Sequence, residues 1–483
     1  MLPTHNHELD LWLEEHAGLG KSFDFLVRHM MIHDHLISLY AVNGLCETRF
    51  IMEILDELTG DSDAVPPHMN TWVKNRLIHH SVESTDSKQA LVRQVFSGLI
   101  AIKVDGEPDC FLIDVRSYPG RQPEEPDTEK VVRGSRDGFV ENIIVNTALT
   151  RRRIRDPGLR FEMLEVGERS KMDVAIGYIK GLANDELVQV IKKEIEPIKT
   201  DGLIMTDKSL EEYIVKQGFN PYPLVRYTER ADIAAEHLLE GHVCVYVDTS
   251  PSVMITPSTF FHHIQHAEEF RQSPAVGTFI RFIRILGIIA SVFLLPLWYL
   301  LAIDPGLKPE SLEFLGMKED TAVPLIVQLL IADIGIEFLR MAAIHTPTPL
   351  STAMGLIAAV LIGQIAIDVG LFVPEVILYV ALAAIGTFAT PSYELSVANK
   401  MARVLLMLLV WIFHISGFVI GLTLMLLFLM RIKVFSVPYL WPLVPFRPLA
   451  LIHVLIRMPV TRSFVRPMIV KTKDRVRQKP SEK

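Results

Sequence analysis

Three ionisable residues stand inside an apolar stretch. The run VPLIVQLLIADIGIEFLRMAAI (Val323 to Ile344) carries Asp333, Glu337 and Arg340. At i, i+4 and i+7 they fall on one stripe of a helix. A charge at the centre of a bilayer costs several kcal/mol, so such groups face a protein interior or a watery path. Repeated copies of the two acids would form a negative ring that attracts cations, which is a pore or gating role. The other reading is a structural ion pair, with Glu337 and Arg340 neutralising one another in a bundle, or an amphipathic helix lying at an interface. A water-exposed acidic stripe favours a channel; a fully packed one favours a scaffold.

The remaining chemical candidates are weaker. Gly20, Lys21 and Ser22 end like a phosphate-binding loop, but Glu15 stands where the first glycine is needed and no strand precedes it. His29 and His33 are expected on one helix face, as are His262 and His266 near Glu269, a spacing that can begin a zinc site but needs a third ligand and supporting hydrogen bonds. Solvated or capping histidines are the simpler reading. Arg151, Arg152 and Arg153 could meet phosphate or headgroups, or simply end a helix where cations favour the negative pole. No nucleophile elbow and no paired catalytic carboxylates occur. The expectation is no catalytic residue, no metal, no cofactor and no enzymatic activity.

The elements that hold the charged stripe are themselves apolar. The run Ile285 to Ile303 has no charged residue and is long enough to span a bilayer. Val404 to Met430 is longer and also uncharged. Leu350 to Gly370 and Leu371 to Ala389 read as two more spans, with Asp368 and Glu375 near their ends, and Lys400 and Arg403 precede the last run. The proline-rich segment Val437 to Ile456 reads as re-entrant or interfacial. The expected domain is helical and polytopic, residues 275–456, with four to five spans, then a basic tail, 457–483. Gly355, Ala359 and Gly363 recur every four residues, and so do Gly417 and Gly421, a pattern that lets helices pack closely within or between subunits.

Basic flanks set the orientation. Arg271, Arg281 and Arg284 precede the first run, which places the N-terminal part in the cytoplasm. The following loop, Asp304 to Asp320, holds five acids against Lys308 and Lys318 and fits the opposite side. From Arg431 onward there are twelve Lys or Arg and only two acids. Four crossings return that basic tail to the cytoplasm; five would strand it outside. The opening MLPTHNHELD has neither a basic start nor an apolar core, so no secretory signal is expected. Cys46, Cys110 and Cys244 lie far apart, which fits a reducing compartment. A net charge of -8 argues against nucleic acid as a partner.

The part before the apolar runs reads as two α/β subdomains, residues 1–130 with a linker and 131–274, with no internal repeat visible. The sequence LDLWLEEHAGLGKSFDFLVRHMMI is expected to be amphipathic helix. LIAIKV and CFLIDV flank the turn DGEP as a hairpin. A charged, proline-rich linker runs from Tyr118 to Lys130. Helices are expected over Asp137 to Arg153, Asn184 to Ile195, Ser209 to Lys216 and Asp232 to Glu240, with strands at MDVAIGYI and HVCVYVD. Alternation of this kind argues for an α/β sandwich.

The stretches VRGSRDGFVEN, NTALTRRRI, YTERADIAAEHLLEGHVCVYVDTSPSVMITP, EFLRMAAIHTPTPL and GLIAAVLIGQIAIDVGL occur in order from about Val131 to Pro448. In these the chain resembles the A-subunit family of spore germinant receptors. The resemblance implies an integral subunit of the spore inner membrane, with its N-terminal domains on the core side. It also implies assembly as a homo-oligomer or with other spore membrane proteins, in contact with lipid, and passage of ions, above all monovalent cations, during germination. The alternative it leaves is a non-conducting scaffold for a germination transporter. Some positions depart from the family pattern. Ala231 stands for the proline that commonly follows TER, and Thr249 for the glycine of the VDGSP loop. Met341 and His345 replace an acid and a base, while Arg340 and Pro347 are kept. These changes remove the warrant for direct nutrient reception and leave the membrane architecture.

Overall fold

The computed structural model describes residues 1–60, 68–77, 81–117, 129–308, 311, 316, 323–345, 355, 363–462 and 464–478. The chain forms two compact units. Met1–Gly218, Val225–Ser258 and Pro459–Lys483 make the first; Phe219–Leu224 and Thr259–Met458 make the second. The tail therefore belongs with the N-terminal part, and residues from Thr259 onward belong with the apolar half.

The first unit contains one architecture twice. Its first half runs α1 (Asn6–His16), β1 (Phe25–Ile32), β2 (His35–Val42), α2 (Thr48–Thr59), α3 (Met69–Arg76), β3 (Val82–Thr85), α4 (Lys88–Val95), β4 (Ile100–Val104), β5 (Cys110–Ile113). Its second half runs α5 (Ile143–Arg153), β6 (Leu159–Val166), β7 (Met172–Ile179), α6 (Asp185–Ile195), α7 (Thr206–Val215), β8 (Arg226–Thr228), α8 (Ala231–Leu239), β9 (Val243–Val247), β10 (Val253–Thr256). The strand orders, β1-β2-β4-β5-β3 and β6-β7-β9-β10-β8, are the same, and every neighbouring pair is antiparallel. The repeat is thus one of architecture, with none visible in the sequence. The fold requires a matching pattern of burial and turns, which unlike residues satisfy equally well.

The central strands of the first sheet work on both faces. Tyr40, Val42, Ala101 and Leu112 pack under Leu9 and Leu13 of α1 and Val92 and Val95 of α4. Ile37, Leu39, Ile102 and Phe111 point the other way, onto Ile54 and Leu58 of α2 and Met69 and Val73 of α3. Alternate side chains of a strand face opposite sides, so a sheet covered twice is built from continuous apolar runs. The hairpin flanking DGEP is β4 and β5, and MDVAIGYI is β7. The helix expected through LVRHMMI is instead β1, paired with β2 from Phe25↔Val42 to Ile32↔His35. Its two-residue turn, His33 and Asp34, has φ of 47° and 61°, the left-handed geometry that closes tight hairpins. The linker expected at Tyr118 to Lys130 lies mostly outside the described residues.

A buried ion pair joins the two halves. Arg151, at the end of α5, donates Nε to Asp24 Oδ2 at 2.9 Å and stacks over Phe96 and Phe161 at 4.8 and 5.1 Å. The side chains are 0% and 2% exposed. Ser22 completes the joint: its hydroxyl donates to Asp24 Oδ1 at 2.6 Å and accepts from the Phe161 amide at 3.0 Å. The Gly20–Lys21–Ser22 sequence is thus part of a structural junction. Arg153 instead binds Asp137 at 2.6 Å, and Arg152 is exposed.

The motif stretches of the second half hold each other. Arg230 pairs with Asp232 and donates to the Ser135 carbonyl at 2.9 Å. The Asn146 side chain accepts from the Val140 amide at 2.8 Å, and Thr150 meets Tyr246 at 3.0 Å. Thr249 holds φ at 62°, a conformation that costs a side-chain residue about 1 kcal/mol and glycine almost nothing. The tail closes over this half. Ile469 and Val470 are buried, Arg466 donates to the Leu239 carbonyl at 2.9 Å, and Arg477 meets Glu236 and Glu240. Lys473 reaches Asp185, and its amide donates to the Leu182 carbonyl at 3.2 Å.

Removing one partner of a buried pair leaves a bare charge in the core. Arg151→Met in the full-length protein should destabilise the first unit by about 3–5 kcal/mol. Adding Asp24→Asn should recover part of the loss. Denaturant midpoints of the single and double variants check it; equal losses in both would mean that the arginine acts by its packing alone.

Candidate functional site

The second unit is built of helices: α9 (Phe260–Ile264), α10 (Ala267–Arg271), α11 (Pro274–Ile303), α12 (Leu325–His345), α13 (Pro374–Phe388), α14 (Tyr393–Arg431) and α15 (Pro448–Leu455), with a small hairpin of Lys433–Val434 and Val437–Pro438. Among the described residues two helices, α11 and α14, are long and apolar enough to cross a membrane. α14 is not one straight rod. His414 breaks it at φ 53° and ψ −133°. A Cβ on Gly417 would collide with the Leu409 carbonyl, and one on Gly421 would lie 2.6 Å from Leu406. Residues eight and fifteen apart would be roughly 12 and 22 Å apart along a straight helix. The two arms therefore fold back on each other at His414, whose imidazole lies 3.1 Å from Asp304 at the end of α11.

The charged stripe of α12 faces inward, and the first arm of α14 answers it. Arg403 donates Nη2 to Asp333 Oδ1 at 2.5 Å, and both side chains are 1% exposed. Its Nη1 donates to the Ser291 carbonyl of α11 at 2.7 Å and to Thr387 Oγ1 of α13 at 3.3 Å. The Lys400 ammonium donates to Glu337 Oε2 at 2.9 Å and to the Asp333 carbonyl at 2.8 Å. Arg340 lies 3.8 Å from Glu337, donates to Ser396 Oγ at 2.7 Å, and sits 4.3 Å over the Tyr393 ring. Two acids and three bases meet here, around a cavity of about 10 Å³ lined by Asp333, Glu337, Thr387, Lys400 and Arg403. The cavity has room for about one water.

The sequence alone places Asp333, Glu337 and Arg340 together and presents Lys400 and Arg403 only as basic flanks of the last span. A signal for their role is there: bases at i and i+3 on one helix match acids at i and i+4 on another. A second charged knot, also unforeseen, joins Glu269 of α10 to Arg281 at 2.7 Å and to Arg284, while Arg281 donates to the Val454 carbonyl at 2.7 Å.

Other candidates fall elsewhere. Gly417 and Gly421 lie in the α14 fold-back. A side chain placed on Gly355 or Gly363 would meet nothing within 4 Å among the described residues, and Ala359 lies outside them. The close helix contact here is Gly386 of α13 against the Gly287 carbonyl of α11. His29 and His33 do not share a helix face: His29 is on β1, 2.8 Å from Ser38 Oγ, and His33 is in the turn against Trp72. Nor do His262 and His266. His262 Nδ1 accepts from the Thr259 amide, and His266 Nδ1 from the Glu268 amide, so each caps its own short helix. The chain leaves the helix at Gln265, which is extended, and His266 precedes the next one, which is why the spacing misled. Asp368 is exposed and Glu375 lies in the first turn of α13.

A family model described as Bacillus/Clostridium GerA spore germination protein matches residues 14–469. Stage V sporulation protein AF of Bacillus subtilis (strain 168) is 57% identical over 478 residues, covering 99% of this chain and 96% of that one. Spore germination protein KA of the same organism is 29% identical over 475 residues, covering 96% and 87%. The crystal structure of the N-terminal domain of the A subunit of the Bacillus megaterium spore germinant receptor GerK3 aligns at 26% identity and a TM-score of 0.43, covering 54% of this chain and 97% of that chain.

Arg403→Leu should lower the melting temperature of the detergent-solubilised protein sharply, because Asp333 then stays buried with only the more distant Lys400 ammonium, 3.7 Å away, to balance it, at a cost of up to about 3–5 kcal/mol. Arg403→Leu with Asp333→Leu should melt well above the single variant. A double variant that melts no higher would show that Arg403 matters for its contacts to Ser291 and Thr387 alone.

Proposed function

The chain belongs to the Bacillus/Clostridium GerA spore germination protein family, and from that premise we propose that it is an integral subunit of a spore inner-membrane complex that passes monovalent cations when germination begins. The reading is of transport rather than catalysis. The observation that carries it is the charged cluster joining α11, α12, α13 and α14 inside an apolar unit. Charge is placed at such cost where ions or protons are handled. The cluster is packed and internally paired; on this reading the packing is that of a closed state, and cations pass only after the pairs rearrange.

A second reading, a non-conducting scaffold, is favoured by that same packing. With Asp333 1% exposed and paired, the stripe presents no ring of free acids in the single chain. Either way the site holds the four helices in register, and the exposed apolar residues of α11 and α14, such as Phe279, Leu286, Leu405 and Trp411, suit lipid or neighbouring subunits.

The tail bears on topology. Since it packs in the same unit as the N-terminal part, a chain that leaves for the membrane at Thr259 and returns by Pro459 crosses an even number of times. That supports a tail on the same side as the first unit, the core side. Orientation rests less on Arg281 and Arg284 than their positions suggest, because both are engaged by Glu269. A cysteine introduced at Gln478 and one introduced at Asp34 should react with an impermeant maleimide from the same face of sealed vesicles. Labelling from opposite faces would overturn this topology.

Proteoliposomes carrying the parent complex should release trapped rubidium, and Glu337→Gln, which keeps the side-chain size at a half-buried position, should lower that release several-fold with assembly unchanged. Rubidium retained by the parent, alone and with its co-purifying subunits, would establish the scaffold instead.

A further inference from the structure

The oxygens around Lys400 form a cage of a kind that fits more than one occupant. The ammonium lies 2.8 Å from the Asp333 carbonyl oxygen, 2.9 Å from Glu337 Oε2 and 3.7 Å from Asp333 Oδ1. Asp333 lines the adjoining cavity, and its other oxygen, Oδ2, has no hydrogen-bond partner among the described residues although the side chain is only 1% exposed. A buried acceptor left unmatched is costly. It marks a place where one more donor or cation would bind.

We infer that Lys400 is a tethered plug in a monovalent-cation site formed by the Asp333 carbonyl, the Asp333 carboxylate and Glu337, and that a free monovalent cation takes the place of its ammonium when Lys400 withdraws.

Charge decides the class of ligand. Arg403 already pairs with Asp333, and Arg340 is turned toward Ser396 and Tyr393 while lying 3.8 Å from Glu337. Lys400 supplies the third positive charge against two carboxylates. Exchanging it for one alkali ion keeps the sum unchanged. A divalent ion would add a charge beside a guanidinium that is 1% exposed. An anion would face both carboxylates. An ammonium group and a large alkali ion carry the same charge and accept the same carbonyl and carboxylate oxygens. Lysine is a compact charge on a flexible stem, which lets it leave the cage without moving its helix.

This inference rests on the cation-passing reading only for its consequence, that Lys400 blocks conduction; the binding site stands apart from it. The test uses purified full-length protein with rubidium as the probe and choline as the control cation at equal ionic strength. Lys400→Met should bind about one rubidium per chain and melt at higher temperature in rubidium chloride than in choline chloride, while in the parent the tethered ammonium competes and both effects are much weaker. Adding Glu337→Gln should abolish the gain. A folded Lys400→Met that does not distinguish the two salts overturns the site. The parent provides a measurement that does not depend on any variant folding: reductive methylation of Lys400, followed by peptide mass spectrometry, should be faster in rubidium than in choline. Equal rates would also overturn it. If Lys400→Met binds rubidium yet its proteoliposomes pass none, the site stands and the channel reading fails; rubidium flux without saturable binding has the reverse meaning.

Discussion

Arg403 ties together the four main helices of the apolar unit. It stands on α14, bonds Asp333 of α12, and donates to Ser291 of α11 and Thr387 of α13. A guanidinium in such surroundings is costly unless its donors are met; Nη1 and Nη2 are met by acceptors from three different helices, while Nε has no hydrogen-bond partner among the described residues. The glycine contact between α11 and α13 brings the Ser291 carbonyl and Thr387 close enough to serve it. Close packing and charge pairing are thus one requirement. A side chain that parted Gly287 from Gly386 would also leave Arg403 short of acceptors.

The first unit solves the same problem with a different pair. Arg151 and Asp24 cross from one sheet-and-helix half to the other, and the two phenyl rings above the guanidinium seal it from water. The two sheets stay separate, and the backbone contact from Phe23 N to Phe161 O, at 3.0 Å, is reinforced by the ion pair and Ser22. Sequence motifs that identify the family serve this architecture: Arg230, Asp137, Asn146 and Thr150 are all spent on holding neighbouring stretches together.

Much of this is legible in the residues alone. Strands closed by glycine-bearing turns, such as β4 and β5, announce themselves, and so do helices with capping residues, such as α6 behind Asn184. The acidic stripe of α12 is legible because charge in an apolar run has few uses. What escapes depends on partners distant in sequence. β1 looks helical until β2 is set beside it, since the pairing rather than the local pattern fixes the backbone; the His33–Asp34 turn is the available clue. Lys400 and Arg403 look like flanking bases until α12 lies against them. The doubled architecture of the first unit leaves no trace at the level of residue identity, because burial constrains size and polarity and little else. The fold-back at His414 interrupts an uncharged run with no proline or glycine at the break itself, so hydropathy runs straight through it.

The tail has a consequence for the order in which this protein can be made. The tail packs on the second sheet-and-helix half through Arg466, Lys473 and Arg477, and the other elements of that half are complete by Ser258. On a ribosome that adds about 5–20 residues per second, the stretch from Thr259 to Gln478 takes roughly 10–40 s. Through that interval the half stands with its α8 face uncovered while the apolar helices emerge and must find their places. The region that is first to fold is among the last to be finished, and a message cut short near its end would leave Glu236, Glu240 and the Leu239 carbonyl without the bases that meet them.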